Sequence, residues 1–279
     1  MGAVGNRTKT PRASVVRRHE EIMALLKAEG SVSVMDLAAH LNCSTATIRR
    51  DLHELAEISG LRRFHGAVAI EALAMESAFQ ERLAVADDEK RAIAEAVVAE
   101  LEPGQVVGLN GGTTTTQVAH YIAEKELSVT VVTNAVNIAF QLTAAGIAVV
   151  VVGGVLRPAN YETTGPIALA ALSNLHLDWA VLGANGVDRR FGASTHTEAE
   201  ASVGQALAEH ADRVMLAVDH SKLERTALFR MVGWDRVDAV ACDRVGSAIL
   251  SGWGLDAPRE ANEATTAGCW RVHRRSQGG

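Results

Sequence analysis

The sequence predicts an α/β protein of two parts: a small helical unit closed by a β-hairpin, then a larger layered domain built on a mainly parallel sheet. Three observations carry this. Residues 17–60 place apolar side chains at helical spacing between capping and stop residues. After Pro103-Gly104, short apolar runs alternate with helical stretches, the grammar of strand and crossover helix. The length of 279 residues is long for one compact unit and comfortable for two.

Residues 1–16 mix Gly, Pro, Thr and basic residues without apolar periodicity and read as a disordered arm. From Arg17, the residues Ile22, Leu25 and Leu26 recur at helical spacing, and Gly30 stops the helix. Ser33 with Asp36 forms a capping arrangement that opens a second helix to about Leu41. Asn42-Cys43-Ser44 makes the turn, and Ser44 caps a third helix that buries Ile48, Leu52 and Leu55 on one face. Gly60 ends it, and Leu61 to Val68 reads as a short basic hairpin in the position of a wing.

Ala72 to about Ala99 is mostly helical, with Asp87-Asp88-Glu89 placed in a linker. Strands are expected at 106–109, 130–133, 148–152, 179–182, 214–218 and 239–242. From Asp256 the chain turns polar and unpatterned and reads as a disordered tail. The expected division is therefore 1–16 arm, 17–72 helix-turn-helix, 73–89 linker helix, 90–255 α/β domain and 256–279 tail.

A composition of 48% hydrophobic and 22% charged residues argues against wholesale disorder. The longest nearly unbroken apolar run, Gly146 to Leu156, is far short of the roughly 20 residues a membrane helix needs. No apolar signal core follows the basic Arg7, Lys9 and Arg12, so neither membrane partner nor secretory leader is expected, and the location is read as cytoplasmic. Cys43, Cys242 and Cys269 lie far apart without any C-x-x-C pairing, which supports no zinc site or disulfide framework; they read as buried or incidental thiols. The net charge of -6 is unevenly spread: residues 1–72 carry 10 Lys+Arg against 8 Asp+Glu, and the acidic excess belongs to the remainder. A mildly basic head on an acidic body suits a DNA reader with a separate ligand-binding domain.

A recognition helix needs polar and basic residues on its first turns, where side chains reach base edges. Thr45, Thr47, Arg49 and Arg50 occupy those turns behind the cap Ser44, and Arg62, Arg63 and His65 sit in the hairpin. Arg49 and Arg50 can grip phosphates or make paired bonds to a guanine edge, while Arg62 and Arg63 would add phosphate contacts. A lone Arg-Arg pair is more often a solvated surface feature. Here it follows a capped helix-turn-helix of suitable spacing and precedes a basic hairpin, which favours double-stranded DNA.

In Leu109-Asn110-Gly111-Gly112-Thr113-Thr114-Thr115-Thr116 a glycine-rich turn leaves a strand and enters a helix. Backbone N–H groups at the positive end of a helix, with threonine hydroxyls beside them, make a natural anion site. The turn lacks a Walker lysine and does not match G-x-G-x-x-G, so a phosphate or phosphosugar suits it better than a nucleotide. A tight turn that needs glycine for backbone reasons is the competing reading.

The segment Arg18 to Ala67, with Ser44-x-x-Thr47-Ile48-Arg49-Arg50-Asp51-Leu52 and Arg63-x-His65-Gly66-Ala67, resembles the N-terminal domain of DeoR-type bacterial transcriptional regulators. The resemblance extends through Lys90, Gly112-Thr113-Thr114, Val132-Thr133-Asn134, Gly153-Gly154, Gly165, Asp178 to Gly186 and Asp219-His220-Ser221-Lys222. It implies a C-terminal domain similar in fold to ribose-5-phosphate isomerase that senses phosphorylated sugars. On that resemblance Lys90 and the Gly112–Thr114 loop, entered from Asn110, would hold a phosphate, and Lys222 an oxyanion or hydroxyl. Thr133 and Asn134 would line the site, and Asn185 and Glu200 would face the sugar. The family often has aspartate where Asn110 stands and lysine where Gly204 stands.

Enzymatic readings fare poorly. Asp219-His220-Ser221 has the letters of a triad, but sequence neighbours point to different sides and cannot form its geometry. His196-x-Glu198 lacks the later P-C-x-x-C of a zinc deaminase. Sugar-phosphate isomerisation is the stronger rival, with Glu200 as general base, but the isomerase's acidic Asp-Gly-Ala-Asp-Glu stretch stands here as Leu182-Gly183-Ala184-Asn185-Gly186, without its carboxylates. The expectation is a non-enzymatic sugar-metabolism repressor without cofactor or metal. It would bind operator DNA as a homo-oligomer, dimer or tetramer, under a phosphorylated sugar effector. A metabolite-binding protein that does not bind DNA is the other alternative.

Overall fold

The computed structural model describes residues 11–29, 31–59, 61–64, 67–70, 79, 81–256 and 267–272. The chain divides into two compact units, Met1–Gln80 and Glu81–Gly279.

The first unit holds α1 (Pro11–Glu29), β1 (Ser31–Ser33), α2 (Val34–His40), α3 (Thr45–Ser59), β2 (Leu61–Phe64) and β3 (Ala67–Ile70). Its three strands pair antiparallel in the order β1-β3-β2. Both expected caps form: the Asp36 amide donates to Ser33 Oγ at 3.0 Å and the Thr47 amide to Ser44 Oγ at 3.1 Å. Asn42 supplies the left-handed residue of the turn between α2 and α3, with φ of 49°. Ile22, Leu26, Leu37, Ile48 and Leu52 bury together as the periodicity requires.

Two features depart from expectation. The first helix begins at Pro11, not Arg17, so residues 11–16 of the expected arm are helical. Proline is compatible with a first helical turn, where its missing N–H has no partner to lose. The arm's residues 1–10 lie outside the described residues. The three-residue β1, too short to show a period, joins the hairpin through Val32 opposite Val68.

In the second unit, α4 (Asp87–Val98) is followed by β4 (Val106–Leu109), α5 (Thr113–Glu124), β5 (Thr130–Thr133), α6 (Val136–Ala144), β6 (Ala148–Val151), β7 (Val155–Arg157) and β8 (Glu162–Thr164). Next come α7 (Pro166–Leu172), β9 (Leu177–Leu182), β10 (Gly186–Asp188), β11 (Gly192–Thr195), α8 (Glu198–Glu209) and β12 (Ala211–Ala217). The last elements are β13 (Phe229–Val232), β14 (Ala239–Asp243), α9 (Ser247–Gly252) and β15 (Ala267–Arg271). Seven strands form the main sheet in the order β15-β14-β12-β9-β4-β5-β6, parallel throughout except for β15.

Successive residues of the inner strands face opposite cores. Val214 and Leu216 of β12, with Val240 and Cys242 of β14, pack toward α7, α8 and α9. Met215, Ala217, Ala239 and Ala241 pack toward α4, α5 and α6. Burial on both faces is why these strands are nearly continuous apolar runs. It also silences two thiols: burial pushes Cys269 up to about 12 and raises Cys242 as well.

Asp87-Asp88-Glu89, placed in a linker by their polarity, form the first turn of α4, where carboxylates complement the amide end of a helix. The linker's residues 73–78 lie outside the described residues. The expected tail is corrected more sharply. Residues 267–271 form β15, antiparallel to β14 from Ala239↔Arg271 to Asp243↔Ala267, and Trp270 is 2% exposed. Two antiparallel additions, β7-β8 and β10-β11-β13, were also not expected. Among the described residues, no helix is long and apolar enough to cross a membrane.

Candidate functional site

The head of α3 is amphipathic in the manner a DNA reader requires. Ile48, Leu52 and Leu55 are buried, while Ser44, Thr45, Arg49 and Arg50 are exposed and Thr47 is half-buried. Ser44 is used as the cap, its hydroxyl 2.9 Å from that of Thr47. Asp51, inside the same motif, is instead buried at 3% and receives two bonds from Arg18 of α1, at 2.5 and 2.8 Å, with His19 Nε2 at 3.3 Å. Burial alone would raise this carboxyl, but the Arg18 bonds and charge outweigh it and hold Asp51 below the usual range. The motif's acidic residue thus fixes the helix against α1. Arg62 and Arg63 lie on β2, but their side chains, like His65 altogether, fall outside the described residues.

In the second unit the parallel strands bring the other candidates to one end of the sheet. Asn110 and Gly112 follow β4, Thr133 and Asn134 close β5, Asn185 follows β9, and Lys222 follows β12. Asn110 locks two of these loops together: its Nδ2 donates to the Gly183 carbonyl at 3.0 Å, and the Gly183 amide donates to its Oδ1 at 2.8 Å. A carboxylate there could accept but not donate, so this departure from the family pattern serves a two-way bond.

Gly112, with φ of 141°, turns the chain into α5 in a conformation suited to glycine. Its carbonyl accepts the hydroxyls of Thr115 and Thr116 at 3.2 and 2.7 Å, leaving Thr113 and the buried Thr114 at the head of the helix. Thr133 is buried and its hydroxyl accepts the Ala135 amide at 3.0 Å. Asn134 Nδ2 donates to the Thr163 carbonyl at 2.9 Å.

Asn185 and Glu200 meet through Thr195, whose hydroxyl lies 2.7 Å from Asn185 Oδ1 and 2.6 Å from Glu200 Oε2. Arg157 pairs with Glu200 at 2.9 Å, and Asn160 Nδ2 donates to Glu200 Oε1 at 2.8 Å. Lys90 is 3% exposed and donates to the carbonyls of Arg82, Leu83 and Val85. Burial pulls its ammonium down, against the attraction of Asp219. Its donors therefore serve backbone rather than pointing outward. Lys222 lies 4.0 Å from Asp219, which caps the turn at residues 220–222. Gly204 faces Met231, which a side chain at that position would overlap.

Sequence reasoning missed Glu162, Asn160 and Arg157. Glu162 is buried at 4%, accepts the Gly111 amide at 2.8 Å on Oε1 and receives Asn160 Nδ2 on Oε2. Burial, then the charge of Glu200, raises its carboxyl to about 7 against the opposing Gly111 bond. Its only sequence signal was a carboxylate inside the otherwise uncharged 158–165 segment.

Comparison with known proteins places both units. Residues 18–72 match the DeoR-like helix-turn-helix domain and residues 85–244 the DeoR C terminal sensor domain. The chain is 34% identical over 228 residues to the glycerol-3-phosphate regulon repressor of Escherichia coli, covering 81% of this chain and 90% of that one. It is 32% identical over 230 residues to the L-fucose operon activator of Haemophilus influenzae, covering 81% and 91%. Among solved structures, ribose 5 phosphate isomerase A from Neisseria gonorrhoeae aligns with a TM-score of 0.38 and 16% identity over 66% of this chain and 74% of that one. That likeness is too distant to carry anything about activity.

Proposed function

Because the chain belongs to the DeoR family of transcriptional regulators, we propose that it represses a sugar-metabolism operon and that a phosphorylated sugar controls its hold on operator DNA. The observation that carries this reading is the coexistence of the exposed Thr45–Arg50 helix face with the Gly111–Thr114 turn at the strand ends of an α/β domain. In this reading Ser44, Thr45, Thr47, Arg49, Arg50, Arg62, Arg63 and His65 meet DNA. The amides of the Gly112–Thr114 turn hold the phosphate, and Lys222 on its flexible stem reaches an oxyanion or hydroxyl. Asn185 and Glu200, with Asn110, Thr133 and Asn134 behind them, face the sugar, and Lys90 contributes charge more than bonds.

An effector that binds the DNA-competent and DNA-incompetent forms unequally shifts operator affinity by its difference in affinity for the two. A homo-oligomer in the cytoplasm completes the reading, since paired recognition helices read paired half-sites. Replacing Arg49 and Arg50 together by Ala should weaken binding to genomic operator fragments by about 30-fold or more, at roughly 1–3 kcal/mol per contact. Unchanged gel-shift affinity in the double variant would remove α3 as the reader. Thermal-shift screening against sugar phosphates, followed by operator binding with each hit, tests the sensor. A hit that leaves operator affinity unmoved argues against control through that site.

A further inference from the structure

This inference rests on the anion reading of the Gly111–Thr114 turn and concerns what occupies that turn when no effector does. Glu162 Oε1 accepts the Gly111 N–H at 2.8 Å, and a Cβ added at Gly111 would collide with the Glu162 side chain, so the carboxylate lies directly against the backbone. Asn160 Nδ2 donates both to Glu162 Oε2 and to Glu200 Oε1, so one amide group serves two carboxylates. The charged groups that face Glu162 are Glu200 from α8 and Arg157 from β7, the latter shared with Thr197 at 2.7 Å. Two carboxylates against one guanidinium leave an excess negative charge beside a turn suited to an anion.

Unmet acceptors lie beside this pair. Asn134, 1% exposed, donates to the carbonyl of Thr163, the neighbour of Glu162, yet its Oδ1 has no hydrogen-bond partner among the described residues; nor has the buried Oδ1 of Asn160. Such buried acceptors call for donors that the described residues do not supply.

We propose that Glu162 is a built-in competitor for the anion turn: ionised, its carboxylate holds the Gly111 amide and repels an anionic effector, and an effector gains that amide as Glu162 takes up one proton. The proton comes from solvent and ends on a Glu162 carboxyl oxygen, which can then donate to an oxygen of the anion. The Gly111 N–H exchanges its hydrogen bond to Glu162 Oε1 for one to the anion, and no covalent bond other than the new O–H is made or broken. Because burial and Glu200 bring this carboxyl to about 7, the exchange operates across the neutral range.

Sulfate tests this, being tetrahedral and fully ionised across neutral pH, so a change of affinity with pH belongs to the protein. Calorimetric titration of the full chain with sulfate should give a dissociation constant about tenfold weaker at pH 8 than at pH 6, as one linked proton requires. Glu162→Gln should bind nearly independently of pH. A second measurement needs only the unaltered protein: binding heats in buffers of differing ionisation enthalpy should show close to one proton taken up per sulfate at pH 8. Equal pH dependence in both proteins, or no proton uptake, overturns the competitor role while leaving the anion turn in place. Binding of neither sulfate nor phosphate by either protein at either pH overturns the anion reading itself.

Discussion

Burial raises two carboxyls of this chain, and their partners carry them to opposite outcomes. Asp51 gives up water but gains Arg18, and its ionised form is favoured in the fold. The stability it contributes is present above the unfolded value near 3.9 and is lost as pH falls through its lower folded value. Glu162 gains only one partly shared cation, and its carboxyl rises from the ordinary 4.5 to about 7. Between those values the native state binds a proton that the unfolded chain has released, so stability falls as pH rises through that window, by about 3 kcal/mol when complete. Glu162→Gln should therefore match the unaltered protein near pH 5 and exceed it by about 1–3 kcal/mol at pH 8, as urea denaturation at the two pH values will show. At this scale the sequence was readable where a residue acts through its neighbours in sequence, as Ser44 does on Thr47. It was silent where the partner is distant: Arg18 and Asp51 are separated by 33 positions and Gly111 and Glu162 by 51.

At the scale of elements, the inner strands announced themselves because both of their faces are buried, which writes an apolar run into the sequence. The strands expected at 106–109 and 130–133 coincide with β4 and β5. The edges did not announce themselves. β15 has five residues, Ala-Gly-Cys-Trp-Arg, in which no period can be read, and it exists because β14 offers it a partner. Trp270 fills space against the face lined by Val240 and Leu250, so Trp270→Ala should cost about 3–5 kcal/mol, measured by thermal or chemical unfolding of the full chain. A cost below 1 kcal/mol would mean that β15 is an ornament. The same blindness applied to α1, whose first turn holds Pro11 and little apolar residue, and to Asp87–Glu89, whose acidity suits a helix start as well as a linker.

On the scale of the molecule, the fold class and the division of labour were legible because composition, charge asymmetry and motif spacing all pointed the same way. Assembly was less so. The main sheet ends at β6, where Val150 and Val151 are 40% and 52% exposed and Phe140 of the adjoining α6 is 78% exposed. Among the described residues no strand pairs with the outer side of β6, and an apolar sheet edge is a liability unless covered; the oligomer proposed above would cover it. Phe140→Glu with Val151→Lys should then shift the protein toward monomer in light scattering and weaken operator binding; an unchanged mass would place the interface elsewhere. The position of β15 has a further consequence, for synthesis. The DNA-reading unit leaves the ribosome first, and the strand that finishes the sensor's sheet follows roughly 200 residues later, on the order of 10–40 s at ordinary elongation rates. On the reading proposed above, a message cut within that interval would yield a finished DNA-binding unit attached to an open sheet, its operator affinity no longer set by an effector.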